Sequence, residues 1–321
     1  MNFKSPVLIV AGEPNSVFLE IFFKTLKSKK IKSPLILIAS KNILIKQMKK
    51  LKFKKNINLL DINEIYKKKL DNKSINLIHV EFDQKKAFEK ISKKSNKFIK
   101  ESFKVAFKIL KNGKIYKFIN GPISKKYFLN KKYLGITEYI SKNFSSKENC
   151  MLIYNKELSV CPLTTHLPIK QVAKNINKKI IIKKVKLIDN FYKNIFDFKP
   201  KIAVLGLNPH CESINKFNED EKILKPVVRS LSKKYRVSGP YSADTIFLKN
   251  IRKNFNVILG MYHDQVLTPI KTIYEYDAIN ITVGLPFIRI SPDHGPNEKM
   301  LGKNKSNPLS LIKAVNFLDK N

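Results

Sequence analysis

Short apolar runs alternate with longer amphipathic segments from one end of the chain to the other. "PVLIVA" (6–11), "PLILIAS" (34–40) and "INLIHVEF" (75–82) read as buried strands. Further strands are predicted at 114–121, 150–154, 158–163, 201–207, 256–262 and 278–285. These runs are too short for helices and rich in β-branched residues, whereas the segments between them repeat at helical spacing. Ser16 is placed to cap the first helix. A long segment, 84–112, sets Phe103, Phe107 and Leu110 on one face and stops at Gly113, a residue suited to a left-handed terminus. Another helix, around 168–198, is basic outside and apolar inside. Such alternation predicts an α/β fold with a mostly parallel sheet. A chain of 321 residues is long enough for two lobes.

Composition adds few constraints. Hydrophobic residues make up 43%, as in ordinary globular proteins. No apolar run reaches the roughly 18 residues of a membrane span, and the N-terminus enters a strand-like run without a signal-peptide pattern. Cys150, Cys161 and Cys211 form no CxxC pair, and an odd count suits a reducing compartment. The expectation is a cytoplasmic protein without membrane attachment. A formal charge of +38 raises the question of nucleic acid. Only Arg229, Arg236, Arg252 and Arg289 are arginine, however, and 59 lysines spread along the whole chain beside abundant Asn and Ile. Codon bias produces that pattern, whereas recognition of bases and phosphates favours arginine forks. No specific nucleic-acid partner is expected, only salt-sensitive attraction. The ten glycines, never closer than seven positions apart, exclude both a GxGxxG dinucleotide loop and a GxxxxGK phosphate loop.

The five histidines carry more information. His79 lies within "NLIHVEF" and reads as a core or sheet-face residue. His166 ("LSVCPLTTHLP"), His210 ("KIAVLGLNPH") and His263 ("NVILGMYH") each follow a short apolar strand. Ligands of open α/β sheets bind at the carboxyl ends of strands, so three imidazoles there could converge on a divalent cation. Three unrelated histidines with local hydrogen bonds are the other reading, and spacing does not decide between them. Asp264 and Asp244 are candidate orienters or bases, or simply helix-starting residues. Arg289 sits in the apolar segment "NITVGLPFIRISPDHG", where a guanidinium grips either a ligand anion or an internal partner. Lys271, among so many lysines, carries no signal by itself.

Seven segments together resemble one family: "NGPISK" (120–125), "GITE" (135–138), "TTHLP" (164–168), "LGLNPH" (205–210), "GPYSADT" (239–245), "MYHDQ" (261–265) and "NITVGLPFIRISPDHG" (280–295). Their order and spacing are similar to those of the 4-hydroxythreonine-4-phosphate dehydrogenase family of vitamin B6 biosynthesis. The resemblance implies a two-lobed, isocitrate/isopropylmalate dehydrogenase-like fold. It places an outer lobe at 1–122 plus 282–321 and a central metal-binding and dimerisation lobe at 123–281. It further implies a homodimer whose active site draws residues from both subunits, and NAD binding without a Rossmann loop. His166, His210 and His263 match the family's ligands for one divalent ion (Zn, Mg or Co). Thr137, Lys271, Asn280 and Arg289 match its substrate contacts, with Lys271 and Asp244 as catalytic candidates. "DHGPNEKMLGKNKSNP" is similar to an adenosine-holding loop, which suggests His294, Gly295 and Asn307 near NAD. The implied reaction oxidises 4-phosphooxy-L-threonine to 2-amino-3-oxo-4-phosphooxybutanoate, a β-keto acid that decarboxylates to 3-amino-2-oxopropyl phosphate.

Three departures bear on this expectation. Ile136 stands where the family has a substrate-contacting histidine. Losing one imidazole donor to an anion costs about 1.5–3 kcal/mol, roughly ten- to more than a hundredfold in affinity. "GEPNSVFLE" replaces a glycine-rich opening, and "CESINKF" follows His210 in place of "AGEGG". The alternatives are therefore a paralogue acting on threonate or erythronate phosphate and, further off, a basic nucleic-acid-binding protein with a decayed site.

Overall fold

In the computed structural model the apolar run Val7–Val10 is a strand with all four side chains buried. The structure describes residues 5–28, 31–66, 70–129, 133, 135–146, 148–214, 217–292 and 294–320. Its strands are β1 (Val7–Val10), β2 (Leu35–Ala39), β3 (Ile57–Leu59), β4 (Ile75–His79), β5 (Lys117–Asn120), β6 (Cys150–Tyr154), β7 (Ser159–Pro162), β8 (Ile202–Leu205), β9 (Val237–Tyr241), β10 (Val257–Gly260), β11 (Ile279–Val283) and β12 (Ile288–Ser291). The helices are α1 (Phe18–Leu26), α2 (Lys41–Lys50), α3 (Asn96–Lys111), α4 (Ile136–Asn143), α5 (Ile169–Asn175), α6 (Lys178–Phe196), α7 (Lys225–Ser232), α8 (Lys249–Arg252), α9 (His263–Tyr274) and α10 (Leu309–Lys320). Among the described residues no helix is long and apolar enough to cross a membrane.

The chain forms two compact units. The first comprises the residues up to Ser145 together with those from Pro286 onward. Its strands lie in the order β3-β4-β2-β1-β5-β12, every neighbouring pair parallel. Ile36, Leu37, Ile38, Phe118 and Ile119 on these strands have no exposed surface, as strands covered on both faces require. The second unit, Ser146–Leu285, orders its strands β11-β6-β7-β10-β8-β9. Here β11-β6 and β6-β7 are antiparallel, while β7-β10, β10-β8 and β8-β9 are parallel. Val160, Ala203, Leu205, Ile258 and Val266 form the middle of its core. The fold class is the α/β architecture expected from the alternating pattern.

Some local expectations change. The segment 84–112 is helical only from Asn96, because Ser92 and Ser95 bond the chain into a turn ahead of the helix. The helix around 168–198 is two helices, broken at Ile176 and restarted by Asn177, whose side chain accepts the Ile180 N–H at 3.1 Å. Ser16 is not the cap of α1: Val17 holds that position, and Ser16 Oγ accepts the Phe18 N–H at 3.3 Å from one residue earlier. His79 ends β4 with its ring partly exposed, and its Nδ1 accepts the Lys41 N–H at 3.0 Å. It serves as a cap on α2.

Candidate active site

The three histidines follow three strands that are parallel and adjacent, in the order β7, β10, β8. Their carboxyl ends therefore lie at one edge of the second unit's sheet, the place where such sheets bind ligands. Beyond β7 the chain turns through Thr164 to His166. That turn is held by Leu163 N–H to the Gly260 carbonyl at 2.7 Å and by Thr164 Oγ1 to the Met261 carbonyl at 2.8 Å. Beyond β10, Met261 and Tyr262 lead into α9, of which His263 is the first residue. His263 Nδ1 meets Asp264 Oδ1 at 2.6 Å, a carboxylate contact that fixes the ring and leaves Nε2 for another partner. Asp264 is thus an orienter and lies in the first turn of α9. Beyond β8, buried Asp220 accepts the Leu207 and Asn208 N–H groups at 2.8 and 3.1 Å and so shapes the approach to His210. His210 and Cys211 both adopt left-handed backbone, at φ 54° and 62°. Non-glycine residues reach that region only when their surroundings impose it, and such strain gathers at functional sites.

The His166 and His263 ring centroids lie 6.1 Å apart with their planes 35° from parallel. Two imidazoles on one cation place their centroids at most about 6.4 Å apart, from bonds of about 2.1 Å and ring nitrogens about 1.1 Å from each centre. The pair lies within that limit, and neutral imidazole suits a divalent ion in chemistry. Among the described residues, no three or more His, Cys, Asp and Glu side chains are gathered closely enough to hold an ion. Within this chain the expected set of three is represented by the His166–His263 pair.

In the second unit, Lys271 lies in the last turn of α9, where partial burial lowers its pKa below the usual lysine range. Asn280 stands on β11 opposite Ile153, and its Oδ1 is buried without a hydrogen-bond partner. Asp244 occupies an exposed turn ahead of α8, so it starts no helix of its own.

The first unit encloses Arg289 among polar side chains. This residue on β12 has no exposed surface. Its Nε donates to Asn120 Oδ1 at 2.8 Å, at the end of β5, and its Nη1 to Thr137 Oγ1 at 2.9 Å, in the first turn of α4. Burial pushes the guanidinium pKa down to about 9, and the nearby Glu138 carboxylate partly restores it, so the group stays cationic at neutral pH. Thr137 and Arg289 are therefore neighbours. Asn120 and Glu138 were not singled out by sequence, although both lie within the segments "NGPISK" and "GITE". Ile136 is the first residue of α4, directly before Thr137, and brings no polar group to this neighbourhood.

The NAD candidates lie on the loop after β12. The His294 ring stacks on Phe18 at 6.1 Å, its Nδ1 contacts the Gly295 carbonyl at 3.1 Å, and its Nε2 is buried with no hydrogen-bond partner. An orphaned ring nitrogen beside a glycine with open space around its Cα suits a hydrogen-bonding ligand such as a nucleoside. Asn307 instead uses its Oδ1 on the Leu309 N–H at 2.9 Å, at the start of α10.

The class is set by the fold: an α/β protein of two compact units, each built on a mostly parallel sheet. The particular family follows from comparison. The model of the pyridoxal phosphate biosynthetic protein PdxA family matches residues 30–318, and the chain belongs to that family. It is 38% identical over 314 residues to a 4-hydroxythreonine-4-phosphate dehydrogenase of Sulfurihydrogenibium sp. strain YO3AOP1, covering 96% of this chain and 95% of the relative. It is 31% identical over 207 residues to a D-threonate 4-phosphate dehydrogenase of Pectobacterium atrosepticum, covering 63% of this chain and 64% of the relative. The crystal structure of a 4-hydroxythreonine-4-phosphate dehydrogenase from Burkholderia phymatum superposes with a TM-score of 0.82 at 25% identity, over 99% of this chain and 98% of that one.

Proposed function

We propose that this protein is a cytoplasmic, homodimeric, NAD-dependent dehydrogenase of 4-phosphooxy-L-threonine in pyridoxal 5′-phosphate biosynthesis. The observation that carries the reading is the placement of His166, His263 and His210 at the carboxyl ends of three adjacent parallel strands, in a chain matched over nearly its whole length by a relative of that name. These imidazoles are the ligands for one divalent ion, Zn, Mg or Co, with His263 oriented by Asp264. When bound, that ion supplies Lewis acidity that lowers the pKa of the substrate alcohol. NAD supplies the hydride acceptor, with His294 and Gly295 at its adenosine half and Asn307 nearby.

The chain's own residues hold the substrate. Arg289 is a cationic fork suited to a phosphate or carboxylate, and Thr137 beside it supplies a hydroxyl. Lys271 adds a second cation, and the half-buried Asn280, through its amide oxygen, a polar contact. Asp244, whose carboxylate lies in an exposed turn, is the candidate acid or base. The oxidised product is 2-amino-3-oxo-4-phosphooxybutanoate, whose β-keto carboxylate loses CO₂ to leave 3-amino-2-oxopropyl phosphate.

A second reading keeps the chemistry and changes the substrate to a phosphorylated sugar acid. Ile136 favours it, because the position next to Thr137 lacks a donor for an anion. Initial rates of NADH formation from 4-phosphooxy-L-threonine and from D-threonate 4-phosphate separate the two. The first substrate is expected to have the higher kcat/KM; turnover of the second alone would move the assignment to the second reading.

A further inference from the structure

The three histidine-bearing loops are tied together by hydrogen bonds that pass through one side chain, Gln265. Its Oε1 accepts the Met261 backbone N–H at 2.7 Å, and its Nε2 donates to the Gly206 carbonyl at 2.8 Å. The Met261 carbonyl accepts from the Thr164 N–H at 3.2 Å and from Thr164 Oγ1 at 2.8 Å. The chain of bonds thus runs from the loop before His166, through the segment before His263, to the strand end before His210. The β10–β8 ladder itself ends at Leu259 and Val204, so the Gln265 side chain continues the link where backbone pairing stops. Gly260 keeps room for it, and Gly206 keeps room for the Cys211 and Asp220 side chains beside its own carbonyl. A Cβ on Gly260 would lie 3.0 Å from Gln265 Oε1 and 2.4 Å from Val266 Cγ1. One on Gly206 would lie 2.6 Å from Cys211 Sγ and 2.8 Å from Asp220 Oδ1.

We infer that Gln265 is a positioning residue that sets the spacing of the β8 and β10 ends, and thereby the placement of His210 and His263 for a divalent cation. The inference rests on the metal-dependent reading above. The amide suits this role because its nitrogen donates to one backbone carbonyl while its oxygen accepts from one backbone N–H. A glutamate keeps the bond to Met261 and sets a carboxylate against the Gly206 carbonyl; an alanine makes neither bond.

Titration of metal-free protein with Zn²⁺ against a chromophoric chelator tests this, on the parent, Gln265→Ala, Gln265→Glu and Tyr192→Phe. The last removes a buried hydrogen bond to Ser159 Oγ in the same unit, at 2.8 Å, and controls for a general loss of stability. Both Gln265 variants are expected to bind Zn²⁺ about ten- to a hundredfold more weakly, as for other residues that orient metal ligands. Tyr192→Phe is expected to match the parent in affinity while melting at a lower temperature. Gln265 variants that bind as tightly as the parent would overturn the inference and leave the metal reading standing. A parent that binds no Zn²⁺ would overturn the metal reading itself, and the inference with it.

Discussion

A guanidinium sealed from water is costly unless its donors are met and its charge is offset. In Arg289 the Nε and Nη1 donors are met by Asn120 and Thr137 and the charge is partly offset by Glu138, and that arrangement fixes the direction of its fork. An ammonium cannot reproduce a planar fork. Arg289→Lys is therefore expected to raise substrate KM by about ten- to a hundredfold, equivalent to one or two lost charge-assisted hydrogen bonds; steady-state kinetics against the parent check this. His294 gives a pH effect of defined sign. Burial lowers its pKa below 6.5, so the folded protein holds the ring neutral where the unfolded chain protonates it. The stability this contributes is complete above pH 6.5 and is lost as pH falls towards the folded-state value. Urea midpoints measured above and below pH 6.5 are expected to differ less in His294→Gln than in the parent. An equal difference in both proteins would contradict the assignment.

At the scale of elements, two substitutions test how the frame holds these residues. Asn177 restarts the chain as α6 by capping the Ile180 N–H, so Asn177→Ala is expected to cost about 1 kcal/mol, read as a lower urea midpoint at unchanged slope. Gly260→Ala drives a methyl into Val266, a residue with no exposed surface, and crowds Gln265. Overpacking of that kind costs about 1–3 kcal/mol, and thermal melting measures it. The long buried strands were legible in the sequence because continuous β-branched runs between turn residues leave little choice of structure. β3 was not, since Asn58 and Leu59 lie exposed and the edge strand alternates too weakly. β9 was hidden by "VSGPY", whose glycine and proline read as a turn. The break between α5 and α6 was hidden because "NIN" keeps helical periodicity while Asn177 takes extended backbone. His166, His210 and His263 could be placed at strand ends from sequence, but the order β7, β10, β8 that makes those ends neighbours is a property of topology. For the same reason Asn120, Glu138 and Gln265 were passed over: their partners lie 169, 151 and 59 positions away along the chain.

For the molecule as a whole, a charge of +38 carried almost entirely by lysine is a property of the surface, whereas Arg289 is the one arginine without exposed surface. Attraction to nucleic acid is accordingly expected to vanish as salt rises, with no preference among sequences, in a filter-binding titration. The proposed chemistry rests on ring nitrogens from three loops serving one cation, and the most direct measurement of that proposal is NADH formation from 4-phosphooxy-L-threonine before and after chelation. Treatment with chelator is expected to abolish turnover, Zn²⁺, Mg²⁺ or Co²⁺ to restore it in the parent, and none of them to restore it in His263→Ala. Turnover that survives complete removal of metal, or that His263→Ala retains in full, would contradict the assignment.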